Sequence, residues 1–228
     1  MGETDRVARH WSPNPVFTVL FVCTGNICRS AMAERIARAY LDEALGDDAH
    51  RIQVVSAGTH AVKGAGVHPD SATVLGGFGG DPTGHVARQL LDDMAIDADL
   101  TLALTRTHRR AVLKAAPRAL QRTFALREAT DLVALVDPAT ALGGDDLAER
   151  CRSLVKRMAA ARSRRPSDAA DDITDPIGRP LEVHQEVAET IAESLIPLLD
   201  RLVALRPAPA AAEDPDDGDG KPRLYLVS

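Results

Sequence analysis

The chain has 228 residues, a formal net charge of −6 at pH 7, 45% apolar and 26% charged residues, and only 3% aromatics. The acidity argues against nonspecific nucleic-acid binding as its main work. No apolar run reaches the length of a membrane span, and three cysteines make no disulfide framework. The first 15 residues carry no apolar segment of the secretory kind, so a reducing cytoplasm is the expected compartment.

With so few aromatics, Leu, Val, Ile and Ala must fill the core. Residues 1–15, with Ser12-Pro13-Asn14-Pro15, read as a loose leader. Val16–Val22 is apolar on both faces, as a central parallel strand is. Ser30 to Leu45 carries Met32, Ile36, Ala39 and Tyr40 at helical spacing and stops at Gly46. Arg51–Ala57 is strand-like and ends at Gly58. Residues 59–84 are Gly-rich, with His68-Pro69-Asp70 opening a short helix that the Gly76–Gly80 cluster closes. Leu100–Leu104 predicts a third strand, Thr107–Ala116 a helix ending before Pro117, and Arg122–Leu126 a fourth strand. Alternating strands and helices predict an open, doubly wound α/β sheet.

Two further helical patterns follow, Glu128–Val136 and Leu147–Arg162, then a polar connection over 163–172. The last helix spans Leu181–Leu205, with Val183, Val187, Ile191 and Leu195 at i, i+4 spacing and a kink expected at Pro197. Beyond Arg206 the composition cannot support a core and predicts disorder. The expected organisation is one domain over 16–205 with a helical insertion near 127–165, a leader over 1–15 and a tail over 206–228. No internal repeat is present.

The stretch Cys23-Thr24-Gly25-Asn26-Ile27-Cys28-Arg29-Ser30 sits where the first strand hands over to the first helix. In doubly wound sheets that is the ligand-binding edge. Backbone N–H groups converge there, and the helix N-terminus adds partial positive charge. Gly25 and Asn26 tolerate left-handed backbone. Arg29 offers a fork of donors to a tetrahedral oxyanion, and the same field favours a Cys23 thiolate, the reactive form. Ser30 can donate its hydroxyl to that thiolate. The loop is not a Walker loop, which needs a following Gly-Lys-Ser/Thr, nor a zinc knuckle, because no second cysteine pair exists.

CTGNICRSAMAE resembles the signature of low-molecular-weight protein tyrosine phosphatases, with SAGT (56–59), HVARQL (85–90) and DITDPIGRP (171–180) in the family's order. The likeness runs over about 17–126 and again over 171–204. It implies a flavodoxin-like sheet of four parallel strands with helices on both faces. It also implies a Cys23 nucleophile, an Arg29 phosphate clamp, and a bracing network of Asn26, Ser30, Ser56 and His85. Thr24, Gly25, Ile27 and Cys28 complete the phosphate loop, and Asp175 is the general acid. Cys28 reads either as a packed thiol or, as the resemblance implies, as a trap for an oxidised Cys23.

A phosphomonoester leaving group needs a proton, so a carboxyl must reach over the phosphate. Asp81, Asp137 and Asp175 each precede a proline. Asp137 lies nearer the usual family distance from the cysteine. Asp175 has the family context: a polar loop with Gly178, directly before the final amphipathic helix. It is preferred, with Asp172 a distant third and Asp171 and Asp172 adding local negative charge. The chemistry expected is attack by Cys23, protonation of the leaving oxygen by Asp175, and hydrolysis of the thiophosphate, with no cofactor or metal.

Other features have plainer readings. Cys151 is a buried, inert thiol in a helix. His60, His68, His108 and His184 show no ligand spacing, so no metal is assigned, and His85 is nearly as well read as a structural histidine. Arg106, Arg109, Arg110, Lys114, Arg118 and Arg122 form a basic run that usually means a solvated face. Ala31 stands where many family members have proline. Ile177 replaces the tyrosine usual after the Asp-Pro, and residues 59–69 contain no aromatic, so Ile177 and His60 are the expected lining of the substrate slot.

Three functions remain open on the sequence. The first is a cysteine-dependent phosphatase acting on a phosphorylated protein or a small phosphomonoester. The second is an arsenate reductase using an external small thiol, and the third a non-catalytic phosphate-binding module. Neither nucleic acid nor membrane is an expected partner.

Overall fold

The computed structural model describes residues 16–166 and 171–207. The leader over 1–15 and the tail from 208 onward lie outside the described residues, as do 167–170 of the polar connection. Four strands, β1 (Phe17–Cys23), β2 (Ile52–Gly58), β3 (Leu100–Ala103) and β4 (Thr123–Ala125), form one all-parallel sheet in the order β2-β1-β3-β4. The helices are α1 (Arg29–Leu45), α2 (Pro69–Leu75), α3 (Asp92–Asp97), α4 (Arg106–Ala115), α5 (Leu126–Ala134), α6 (Leu147–Ala161) and α7 (Leu181–Val203). This is the doubly wound architecture expected from the sequence.

The two faces of β1 explain its continuous apolar character. Phe17, Val19, Phe21 and Cys23 enter the larger core, which α1, α2, α5, α6 and α7 cover. Leu20 and Val22 enter a smaller core closed by Ala95 and Ala98 near α3 and by Val112 and Ala116 near α4. A strand buried on both sides has no polar face to spare. The chain leaves β1 toward β2 on one side and returns to β3 on the other. The carboxyl ends of β1 and β3 therefore form the topological switch point, the ligand-binding crevice of such sheets.

Several element boundaries differ from expectation. Leu126, expected as the end of β4, starts α5, because the Glu128 carboxylate reaches back to accept from the Ala125 N–H at 3.0 Å. The single-turn α3 carried too few residues for a readable period. Pro197 lies inside α7, which runs through it to Val203.

Helices α5 and α6 add to the helical layer of the larger core. Arg152 of α6 forks onto Asp99 (2.8 and 3.2 Å) and donates to the Val16 carbonyl at 3.0 Å. These contacts fix α6 at the amino end of β1, opposite Cys23, so α6 does not cover the switch point. Among the described residues no helix is long and apolar enough to cross a membrane.

Candidate active site

The site grows from the turn between β1 and α1. Cys28 precedes α1 without a side-chain cap, so the first-turn amides are left open to the loop. Asn26 adopts φ 56°, the left-handed region that asparagine tolerates better than most residues. Its side chain donates to Ser30 Oγ at 3.0 Å and Ser56 Oγ at 2.7 Å, and its Oδ1 accepts from the Arg88 N–H at 2.9 Å. His85 Nε2 donates to the Asn26 carbonyl at 2.8 Å, which fixes the tautomer of that ring. Ser56 in turn donates to Glu34 Oε2 at 2.5 Å. Cys23 Sγ lies 2.9 Å from Ser30 Oγ and 3.3 Å from the Asn26 N–H. The structure thus brings Cys23, Asn26, Ser30, Ser56 and His85 into one buried network.

The loop is also held from outside. Thr59, His60, Val62 and His68 N–H groups donate to the carbonyls of Cys23, Thr24, Gly25 and Ile27 at 2.8–3.0 Å. At Gly58 an added Cβ would meet the Thr24 carbonyl oxygen at 2.4 Å, so only glycine lets β2 pass this close.

Arg29 is 5% exposed. Its Nη1 donates to the Ile173 carbonyl at 3.2 Å and its Nη2 to Asp175 Oδ2 at 2.5 Å. Its buried Nε has no hydrogen-bond partner among the described residues. Ile173 is itself tied to β3 through Leu104 (2.9 Å), which carries the 171–180 segment across the switch point. Asp175 stands at the mouth with 44% of its side chain exposed.

The other carboxylates are elsewhere. Asp81 and Asp137 accept from the Thr83 and Ala139 amides two residues on, as turn residues do, and neither lines the cleft. Asp172 accepts from the Arg106 N–H at 2.7 Å, and Asp171 pairs with Arg165 at 2.5 Å.

The cleft is lined by Cys23 to Gly25, Ile27 to Arg29, His60, Val62, Asp175 and Ile177. Among the described residues its rim carries no Phe, Tyr or Trp; Val62 and Ile177 are 51% and 48% exposed. His108, read from the sequence as unremarkable, joins the site from α4. Its Nε2 lies 2.8 Å from Thr24 Oγ1 and its Nδ1 2.9 Å from Thr105 Oγ1. Burial, helped by the nearby Arg29 charge, holds this imidazole down at about 4, so it is neutral at physiological pH. Much of the basic run is engaged rather than purely solvated: Arg109 donates to the Thr123 carbonyl and Arg122 to that of Ile96.

Burial pushes the Cys28 thiol up to about 11 and Cys151 up to about 12. Cys151 packs in α6 beside the Arg152–Asp99 pair, at the far end of the sheet from Cys23. Sequence reasoning missed Glu34, Gly58, Val62 and the Thr24–His108 link. Glu34 was signalled only by its place one helical turn after Ser30.

A parallel α/β fold with an arginine-bearing cysteine loop at its switch point defines an anion-binding hydrolase scaffold. Residues 18–162 match the family described as "Low molecular weight phosphotyrosine protein phosphatase". A "Low molecular weight protein-tyrosine-phosphatase" from Streptomyces coelicolor is 39% identical over 149 residues, covering 61% of this chain and 87% of the relative. The crystal structure of a low molecular weight protein tyrosine phosphatase from T. tengcongensis superposes with a TM-score of 0.57 at 30% identity, over 82% of this chain and 98% of that one. The arginine phosphatase YwlE from Geobacillus stearothermophilus superposes at 0.55 with 26% identity, over 82% and 91%. The chain belongs to the low molecular weight phosphotyrosine protein phosphatase family, a class of hydrolases.

Proposed function

We propose that this protein hydrolyses phosphomonoesters on phosphorylated proteins, phosphotyrosine first, through a Cys23 thiophosphate. The observation that carries the reading is the convergence of Cys23 Sγ, uncapped first-turn amides and the part-satisfied Arg29 guanidinium on one cleft, with Asp175 at its mouth. A phosphate dianion satisfies the open Arg29 donor and competes with Asp175 for Nη2. The Cys23 thiolate then attacks phosphorus in line as the P–O bond breaks, and Asp175 gives its proton to the leaving oxygen. Water next attacks the thiophosphate, its proton passes to Asp175, the S–P bond breaks and phosphate leaves. Loop amides, Arg29 and the α1 dipole hold the equatorial oxygens throughout. Ser30 donates to the thiolate, while Asn26, Ser56 and His85 keep the loop in shape.

The reading is tested with p-nitrophenyl phosphate at mildly acidic pH. Wild type turns over and vanadate blocks it, Cys23→Ser is silent, and Asp175→Asn loses about a hundredfold or more in kcat. An Asp137→Asn control keeps its rate. A silent reduced wild type would overturn the proposal.

The rim without Phe, Tyr or Trp, and the likeness to an arginine phosphatase, favour one second reading, phosphoarginine as substrate. Parallel phosphotyrosine and phosphoarginine peptides separate the two. Arsenate reduction would need an external small thiol, since Cys151 lies across the sheet from Cys23, and an arsenate-reductase assay with such a thiol separates it from hydrolysis.

A further inference from the structure

Behind the phosphate loop, on the side of α2 and α7, the fold gathers three soft donors that are far apart in the chain. The ligating atoms of Cys28, His68 and His184 all lie within 4.8 Å of one another. The two imidazoles stack with centroids 5.0 Å apart. A carboxylate closes the group: Asp70 Oδ2 is 3.8 Å from His68 Nδ1 and 3.9 Å from His184 Nε2. His184 is fully buried, and its Nε2 has no hydrogen-bond partner among the described residues. An unpaired ring nitrogen in the interior, facing a thiol, a second imidazole and a carboxylate, is costly unless something binds there.

We propose that Cys28, His68 and His184, with Asp70 at the rim, form a binding site for a divalent transition metal of the zinc class. The donor set is what zinc takes, thiolate, imidazole and carboxylate, four in number. The outer contacts are of the supporting kind. Ser71 Oγ lies 2.9 Å from His184 Nδ1. With Nδ1 donating to Ser71, the lone pair is left on Nε2. The Ser71 hydroxyl also reaches Cys28. His68 Nδ1 now accepts only a long 3.3 Å bond from the Asp70 N–H, which a metal can replace.

Tetrahedral zinc with bonds of about 2.0–2.3 Å brings donor atoms to about 3.5 Å from one another, so the Cys28, His68 and His184 atoms close by up to about 1.3 Å and the two stacked rings turn toward the ion. Binding replaces the Cys28 S–H bond by S–Zn and releases that proton to solvent. The ion would tie α2 and α7 to the back of the loop, because the His68 N–H already holds the Ile27 carbonyl at 2.8 Å.

The test titrates the full-length, metal-free, reduced chain with Co²⁺ and follows the thiolate-to-cobalt charge-transfer band, with Zn²⁺ added afterward. One Co²⁺ per chain with that band, displaced by Zn²⁺, is expected. The band persists in Cys23→Ser and disappears in Cys28→Ser. His68→Gln, at a partly exposed position, keeps its circular dichroism and weakens binding at least about tenfold. Absence of the band in wild type overturns the proposal. So does a band that survives in Cys28→Ser, or that depends on Cys23, or an unchanged affinity in His68→Gln.

Discussion

The floor of the cleft and its rim are held to very different degrees. At the floor, Asn26 alone bonds to the buried Ser30, Ser56 and His85 and accepts from the backbone N–H of the exposed Arg88. At the rim, Val62 and Ile177 stand about half-exposed, and His60 bonds its side chain only to the neighbouring Thr59. Asn26, Ser30 and Arg29 are each held by two or more partners, the fixed placement that gripping a small, symmetric anion requires. The rim meets whatever carries the phosphate, and its open aliphatic surface imposes few directional contacts. Chemistry and specificity are therefore built into separate parts of this fold, and they can be perturbed separately.

The largest break in that comparison is Gly58→Ala. A methyl group placed 2.4 Å from the Thr24 carbonyl forces β2 and the loop apart. We expect a loss of about 3 kcal/mol in denaturant unfolding together with most of the hydrolysis. Unchanged stability would mean that the loop is less tightly held than the geometry implies. Asn26→Ala is next. It removes the amide bonds to Ser30 and Ser56, leaves the Arg88 N–H without its acceptor and puts alanine in left-handed backbone, so kcat falls about tenfold to a hundredfold with KM moving less. A change confined to KM would place Asn26 in binding rather than in loop geometry.

A pH-dependent stability comes third. Folded His108 resists protonation down to about 4, while an unfolded histidine takes its proton near 6.5. Between those values the unfolded chain binds more protons, so the stabilisation is full above about pH 6.5 and is lost as pH falls toward 4. In His108→Gln the denaturation midpoint should drop less between pH 7 and 4.5 than in wild type. Equal drops would remove His108 from the account.

The smallest effect is at the rim. Ile177→Tyr should leave p-nitrophenyl phosphate kinetics within about twofold and lower KM for a phosphotyrosine peptide by roughly threefold, on the scale of one aromatic contact. A kcat collapse there would show that rim and floor are not separable.

What the sequence made legible follows the same division. The loop was readable because its strand, glycine turn, arginine and helix are contiguous, so local chemistry and fold position coincide over a dozen residues. The expected β1, α1, β2, β3 and α4 stand within a residue or so of where the spacing put them. Leu126 was misplaced because the competing signal was a side chain, Glu128, bonding back to the Ala125 amide. The choice of Asp175 over Asp137 rested on its setting before the last helix, and the structure places it against Arg29, a contact across 146 residues that no spacing along the chain encodes. The His108 contact and the Cys28–His68–His184 group had no signature at all. They depend on which helices the sheet order brings to one edge, and no spacing along the chain encodes that.

The clamp on Arg29 has a consequence for how the molecule is made. Its partners, the Ile173 carbonyl and Asp175, enter the chain 144 and 146 residues after it. During synthesis β1, the loop and α1 can collapse early, but the arginine finds its holding contacts only when the last connection and α7 have arrived. Contacts of such long sequence separation form late and slowly. A nascent or truncated chain ending before residue 171 therefore carries Cys23 without Asp175 and without a fixed Arg29. The anion clamp of this cleft is thus assembled last, when the two ends of the domain meet.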